Sequence, residues 1–328
     1  MPAQYLFIIF AATCLLYAFL NGYNDASSLM GAAILSRSIE FRTARLIASV
    51  AEFAGPFLFG LAVAHSIGHD LLDTSVVSPT VVFSTVIAAV AWIILMSYLG
   101  LPSSSSHALV GGLVGATVIS SGWNALHTQG LVKILLSLFL APFVGLIAGY
   151  LLLKLVLFLS SEAHPRVNNL FKRLQLLTIV GLSLSHGSND GQKSIGLIAL
   201  GLTTFGLAKD FSAPPWAIIA TACAISLGVF FGRRRTIRTV GGGIYRLQPV
   251  DAFAAEFASA FVVLTAAILG GPASTAQVMT SSIMGVGAAE RVRGVRWEAG
   301  QRIAWAWFMT IPAVAVLAAL VDRFVFHI

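Results

Sequence analysis

The apolar run 174–205 carries in its middle Ser185-His186-Gly187-Ser188-Asn189-Asp190-Gly191-Gln192-Lys193-Ser194, two full charges and a histidine in a segment otherwise uncharged. An earlier apolar run, beginning at Tyr5, does the same with Asn21-Gly22-Tyr23-Asn24-Asp25. Runs of about 20 apolar residues have the length of membrane-crossing helices. An ionisable group inside one costs roughly 2.5–3.5 kcal/mol on insertion scales, so it marks an ion or substrate path. One Asn-Asp pair alone reads equally well as hydrogen-bonding glue between helices. Two pairs, each with a glycine two residues before the Asn, read as a binding site built twice.

The rest of the chain supports a membrane setting. Hydrophobic residues make up 57% and charged residues 10%, against about 25% charged in soluble domains, and the mean hydropathy is +0.88. Apolar runs lie near 4–35, 44–65, 80–99, 131–159, 174–205, 214–232, 250–269 and 303–325, the first and fifth interrupted by the motifs. Two more, 101–121 and 271–289, are rich in Gly and Ser, open on Pro102 and Pro272, and read as spans or as re-entrant hairpins with broken helices. No cleavable signal is expected, since the first run leads straight into Asn24-Asp25. The net charge of +7 does not point to nucleic acid, because the basic residues cluster in short loops, as membrane orientation requires. Cys14 and Cys223 fall in apolar runs and act as small hydrophobes.

Four basic loops contain Arg37, Arg42 and Arg45; Arg166, Lys172 and Arg173; Arg233, Arg234, Arg235, Arg238 and Arg246; and Arg291, Arg293, Arg296 and Arg302. The loop 66–79 carries Asp70 and Asp73 and no Lys or Arg. Counting each Pro-Ser stretch as one crossing gives ten, with all four basic loops on the cytoplasmic side and both termini outside. Pro272 follows Pro102 by 170 residues and Asn189 follows Asn24 by 165. The fold expected is an all-α polytopic membrane protein, an inverted-topology repeat of two five-element halves with broken helices and Pro-Ser hairpins. Residues 1–159 form the first half, 160–173 a cytoplasmic linker and 174–328 the second half, with a basic cytoplasmic loop at 233–247.

The motifs supply distinct chemistries. Asp25 and Asp190 bring charge, and Asn24 and Asn189 a donor and an acceptor each. Glycine before each pair permits unwinding, which frees carbonyls for cations and amides for anions. Proline followed by Ser or Thr starts a helix, and helix N-termini that converge from opposite sides form an anion site. Ser104, Ser105, Ser106, Ser274 and Thr275 are the hydroxyls at those starts. Glu52 and Glu256 are further intramembrane carboxylates, candidates for coupling-ion ligands or proton carriers, with a paired structural acid as the plain alternative. His107, His186, Gln192, Lys193 and Gln277 lie in the motifs as possible contributors. Neither metal catalysis nor a cofactor is indicated: there is no HExxH, and the cysteines have no ligand spacing. A Ser-His-Asp hydrolase drawn from 185–190 fails as a local triad.

The duplicated Gly-x-Asn-Asp motif, the Ser185-His186-Gly187-x-Asn-Asp form of its second copy and the paired Pro-Ser stretches resemble the inorganic phosphate transporter (PiT) family over nearly the whole chain. The resemblance implies that inorganic phosphate moves inward with a coupling cation, and some members of that family are sulfate permeases. The chain departs from the family pattern at Ala26-Ser27-Ser28, at Gln192-Lys193 and at Ala276, which bears on ion identity and stoichiometry.

These readings converge on a symporter of the plasma membrane, the inner membrane in a bacterium, with lipid around it and a homo-oligomer as one option. Rival readings are a sulfate permease, an intramembrane hydrolase using His186 or His107, and an anion channel. Phosphate is favoured over sulfate because monohydrogen phosphate donates a hydrogen bond to a carboxylate, and sulfate would leave buried acceptors unpaired. Lys193, three residues after Asp190, shares its helix face. An ammonium about 6 Å from a cation site opposes sodium there by roughly 3 kcal/mol at an effective dielectric near 20, which favours a proton as the coupling ion over sodium.

Overall fold

The computed structural model describes residues 3–100, 103–161, 167–232 and 245–326. Pro102, residues 162–166 of the 160–173 linker and most of the 233–247 loop lie outside them. The described chain is helical apart from one isolated bridge between Leu72 and Leu126. In order the helices are α1 (Ala3–Leu35), α2 (Phe41–Leu58), α3 (Ala62–His65, wound on as a π-turn over Ser66–Asp70), α4 (Pro79–Leu99), α5 (Ser105–Ser121) and α6 (Thr128–Leu159). They continue as α7 (Val167–Thr204), α8 (Pro215–Phe231), α9 (Pro249–Ile268), α10 (Thr275–Arg291) and α11 (Trp297–Val321).

A buried polar segment runs through an otherwise apolar core, and the outside is apolar as well. Every residue of α7 from Ser185 to Gly201 is buried. The outward faces of α6 and α11 expose Leu136, Leu140, Phe143, Ile147 and Leu151, and Trp305, Phe308, Val316 and Leu320. Such a surface suits hydrocarbon, where backbone groups are satisfied within the helices. Among the described residues five helices are long and apolar enough to cross a membrane, and α2 with α3, bent by 69°, are so when taken together.

Two expectations are corrected. α1 and α7 run unbroken through their motifs, so glycine does not unwind them there. Its use is close approach: a Cβ on Gly22 would meet the Ile225 carbonyl oxygen of α8 at 2.2 Å, and one on Gly187 the Glu52 carbonyl oxygen of α2 at 2.3 Å. The break falls instead between α2 and α3, inside the run read as the continuous span 44–65.

The second correction concerns the hairpins. Residues 80–99 and 101–121 are the two limbs of one hairpin: α4 and α5 lie side by side, Ser121 Oγ bonds the Val76 carbonyl at the open end, and the tip residues Ser104 and Ser106 are buried. α9 and α10 repeat the arrangement, with Tyr245 bonded to Glu290 at the open end and Ala273 and Ser274 buried at the tip. Each outer limb ends on a glycine in the left-handed region, Gly100 (φ 66°) and Gly270 (φ 73°), where a side chain would be strained. Each pair therefore forms a hairpin whose tip is buried inside the protein.

α1 and α7 cross the centre antiparallel. Phe10 meets Gly201, Asn21 bonds Asp190, Asp25 pairs with His186 and Ser36 bonds Gln175. α5 lies along α11, with Gly115 on the Ala315 backbone, and α10 lies along α6, with Gly285 on the Leu146 backbone. α11 thus supports the first hairpin and α6 the second.

Candidate functional site

Where α1 crosses α7, the hairpin tips close on a buried polar cluster. His186 is its hub. Its Nδ1 lies 2.7 Å from Glu52 Oε1, its Nε2 3.2 Å from Asp25 Oδ2, and Asp190 Oδ2 is 3.7 Å from Nε2. Asp190 also accepts from Asn21 Nδ2 at 3.0 Å, from Thr275 Oγ1 at 3.3 Å and from Lys193 Nζ at 2.5 Å. The α-helical spacing of residues 186, 190 and 193 sets all three on one face of α7.

The hairpin starts reach the same cluster. Ser105 Oγ donates to Asn21 Oδ1 at 2.7 Å, and Tyr17 Oη donates to the Ser105 carbonyl at 3.0 Å. Ser106 Oγ donates to the Ala273 carbonyl of the opposite tip at 2.8 Å, and Lys193 Nζ contacts that carbonyl at 2.8 Å and Ser106 Oγ at 2.5 Å. Ser104 is the N-cap of α5, accepting from the His107 amide at 3.2 Å and lying 2.8 Å from His107 Nδ1. Gln277 of α10 pairs with the same imidazole at 3.2 Å. Ser274 is buried at the start of α10 without a side-chain capping bond.

Several expected residues turn out to be supports. Asn189 holds the second tip, donating to the Gly271 carbonyl at 3.0 Å and accepting from the Ala273 amide at 2.9 Å. Gln192 Oε1 accepts from the amides of Val63 (2.8 Å) and Ala64 (3.3 Å), which satisfies free donors at the start of α3 and fixes the bend after α2.

Two residues lie outside the cluster. Asn24 is half-buried and accepts from Ser97 Oγ at 2.8 Å, because the helical turn aims it about 100° away from Asp25. Glu256 is fully buried but accepts from the Ala33 amide at 3.0 Å and Thr178 Oγ1 at 2.5 Å. Thr178 precedes His186 by eight positions, about 12 Å along the helix axis. Glu256 and Asn24 thus each take their hydrogen bonds apart from the His186 cluster. Asn21 and Tyr17 were missed. Superposing the two aspartates sets Asn21 opposite His186, each four residues earlier and hence on the aspartate's face, and that alignment contains the signal.

Three carboxylates, Asp25, Glu52 and Asp190, face one lysine and one imidazole, so the cluster holds excess acid. Asp25, His186 and Asp190 each offer one ligand atom within 4.8 Å of the others, close enough to share a cation. A hydrolytic triad is not formed, since Ser185 Oγ bonds back to the Gly181 carbonyl at 2.7 Å rather than to His186.

Comparison with known proteins identifies the family. Residues 21–318 match the phosphate transporter family. A protein of Rhizobium meliloti described as a probable low-affinity inorganic phosphate transporter is 38% identical over 94% of this chain and 93% of its own length. A Bacillus subtilis protein of the same description is 34% identical over 95% of each. A solved structure described as the sodium-dependent phosphate transporter superposes with a TM-score of 0.89 over 98% of both chains, at 27% identity. With the duplicated motif at the crossing of α1 and α7 and nine-tenths of the chain matched, this protein belongs to the phosphate transporter family.

Proposed function

We propose that the chain is a multi-pass secondary active symporter that imports inorganic phosphate together with protons, through two inverted halves that meet at the α1–α7 crossing. The observation that carries the proton reading is the Lys193–Asp190 contact at 2.5 Å beside His186. An ammonium already neutralises Asp190, whereas Asp25 and Glu52 share a single imidazole. Protonation of that acid-rich side needs no coordination shell and no displacement of Lys193.

Phosphate would meet the starts of α5 and α10, where amides point outward and Ser105, Ser106 and Thr275 can turn their hydroxyls from Asn21, Ala273 and Asp190 to the anion. Lys193 lies between those two starts and adds the positive charge an oxyanion needs. The carboxylates favour phosphate over sulfate, because only monohydrogen phosphate can donate to them. A second reading is sodium coupling, favoured by the likeness to a sodium-dependent transporter, with the ion shared by Asp25, His186 and Asp190. Phosphate uptake into proteoliposomes decides between them. Accumulation driven by an inward proton gradient in sodium-free buffer is the expected result, and strict dependence on a sodium gradient refutes proton coupling. Preferential uptake of sulfate refutes the substrate.

A further inference from the structure

Lys193 is among the largest fully buried side chains of the protein, and its ammonium is held by oxygens from three separate elements. Asp190 Oδ1 of α7 and Ser106 Oγ of α5 are each at 2.5 Å, and the Ala273 carbonyl of the second tip is at 2.8 Å. One carboxylate, one hydroxyl and one main-chain carbonyl freed by irregular backbone are the ligand chemistry with which discontinuous helices hold an alkali cation. Lysine brings the same single charge on a flexible stem.

The oxygens do not depend on the lysine for their positions. Asn189 clamps the second tip through Gly271 and Ala273, and Asn21 and Thr275 hold the Asp190 carboxylate. The repeat-related position lacks this cage. Superposing Asp25 on Asp190 sets Ser28 at the position of Lys193, and superposing Pro102 on Pro272 sets Ala276 at that of Ser106. One half therefore carries its own cation, while the other offers Asp25 to a mobile one.

We propose that the Lys193 ammonium is a tethered cation occupying a monovalent metal site, and that removing it opens a site for sodium. The inference rests on the reading of this cluster as the substrate and coupling site of a cation-driven phosphate symporter.

The test uses full-length Lys193→Ala, purified and reconstituted, in sodium chloride against choline chloride of equal ionic strength. Sodium should raise the thermal midpoint of the variant saturably, as a ligand of the folded state does, and leave the wild type at its choline value. Phosphate uptake by the variant should be about tenfold greater in sodium than in choline, as filling of a site that is mostly empty without sodium produces. A variant unfolded in choline and folded in sodium supports the proposal, and one unfolded in both overturns it. No sodium-specific stabilisation of a folded variant also overturns it. Asp190→Asn/Lys193→Ala lacks the carboxylate and should lose the sodium response; an equal response places the ion elsewhere and overturns the assignment. The wild-type driving ion, measured in the same liposomes, separates the two ideas. A wild type that follows sodium alone sinks proton coupling, while the midpoints of the variant still judge the tethered cation.

Discussion

Replacing Asp190 by Asn changes one atom and should be among the most damaging substitutions in the protein. The Asp190 carboxylate accepts from Lys193, Asn21 and Thr275, with His186 close by. The amide keeps one acceptor oxygen and turns an NH2 group toward donors. It also leaves the fully buried Lys193 without its counter-charge. Breaking a buried pair by removing one partner costs about 3–5 kcal/mol, a fall in the thermal midpoint on the order of 5–10 °C for a chain of this size. Changing the lysine as well, in Asp190→Asn/Lys193→Met, removes the stranded charge. Buried pairs replaced by neutral groups of similar volume are often neutral or stabilising, so this variant should return to within about 1 kcal/mol of wild type while phosphate uptake stays absent. Thermal unfolding in detergent and uptake by proteoliposomes read the two quantities separately. An Asp190→Asn protein that is as stable as wild type and accumulates phosphate would refute the reasoning, as would a double variant less stable than the single one.

Further substitutions test other parts of the site. Gly187→Ala sets a Cβ 2.3 Å from the Glu52 carbonyl; overpacking of this kind costs about 1–3 kcal/mol and should part Glu52 from His186 and lower uptake. Gly181→Ala, whose Cβ would find only Ala260 Cβ at 3.9 Å, should leave midpoint and uptake alone. Asn21→Ala loses bonds to Asp190 and Ser105 and should impair uptake, whereas Asn24→Ala should transport normally; the reverse order in a transport assay would restore Asn24 to the site. Changing Ser105 and Ser106 together to Ala should weaken phosphate binding by roughly 2 kcal/mol, at about 1 kcal/mol for each neutral hydrogen bond. An unchanged dissociation constant by calorimetry moves the anion elsewhere.

The sequence alone determined the setting and the motifs. Charges inside apolar runs are expensive enough that composition reveals the membrane, and repetition of an expensive feature reveals that it is used. Lys193 and Asp190 could be paired from their spacing, because a helix sets residues three apart on one face. Contacts between helices carry no such local signal. That His186 rather than Asn24 joins the carboxylates depends on how α1, α2 and α7 rotate against one another, which glycine contacts such as Gly187 on Glu52 decide. Whether glycine breaks a helix or lets it approach a neighbour is equally undetermined by the glycine, since the same missing Cβ permits both. Glu52 and Glu256 look alike in the sequence, two acids in apolar spans. Only the tertiary fold separates them, setting Glu52 on His186 and Glu256 on Thr178 and the Ala33 amide, because a buried carboxylate takes its role from the partner that satisfies it.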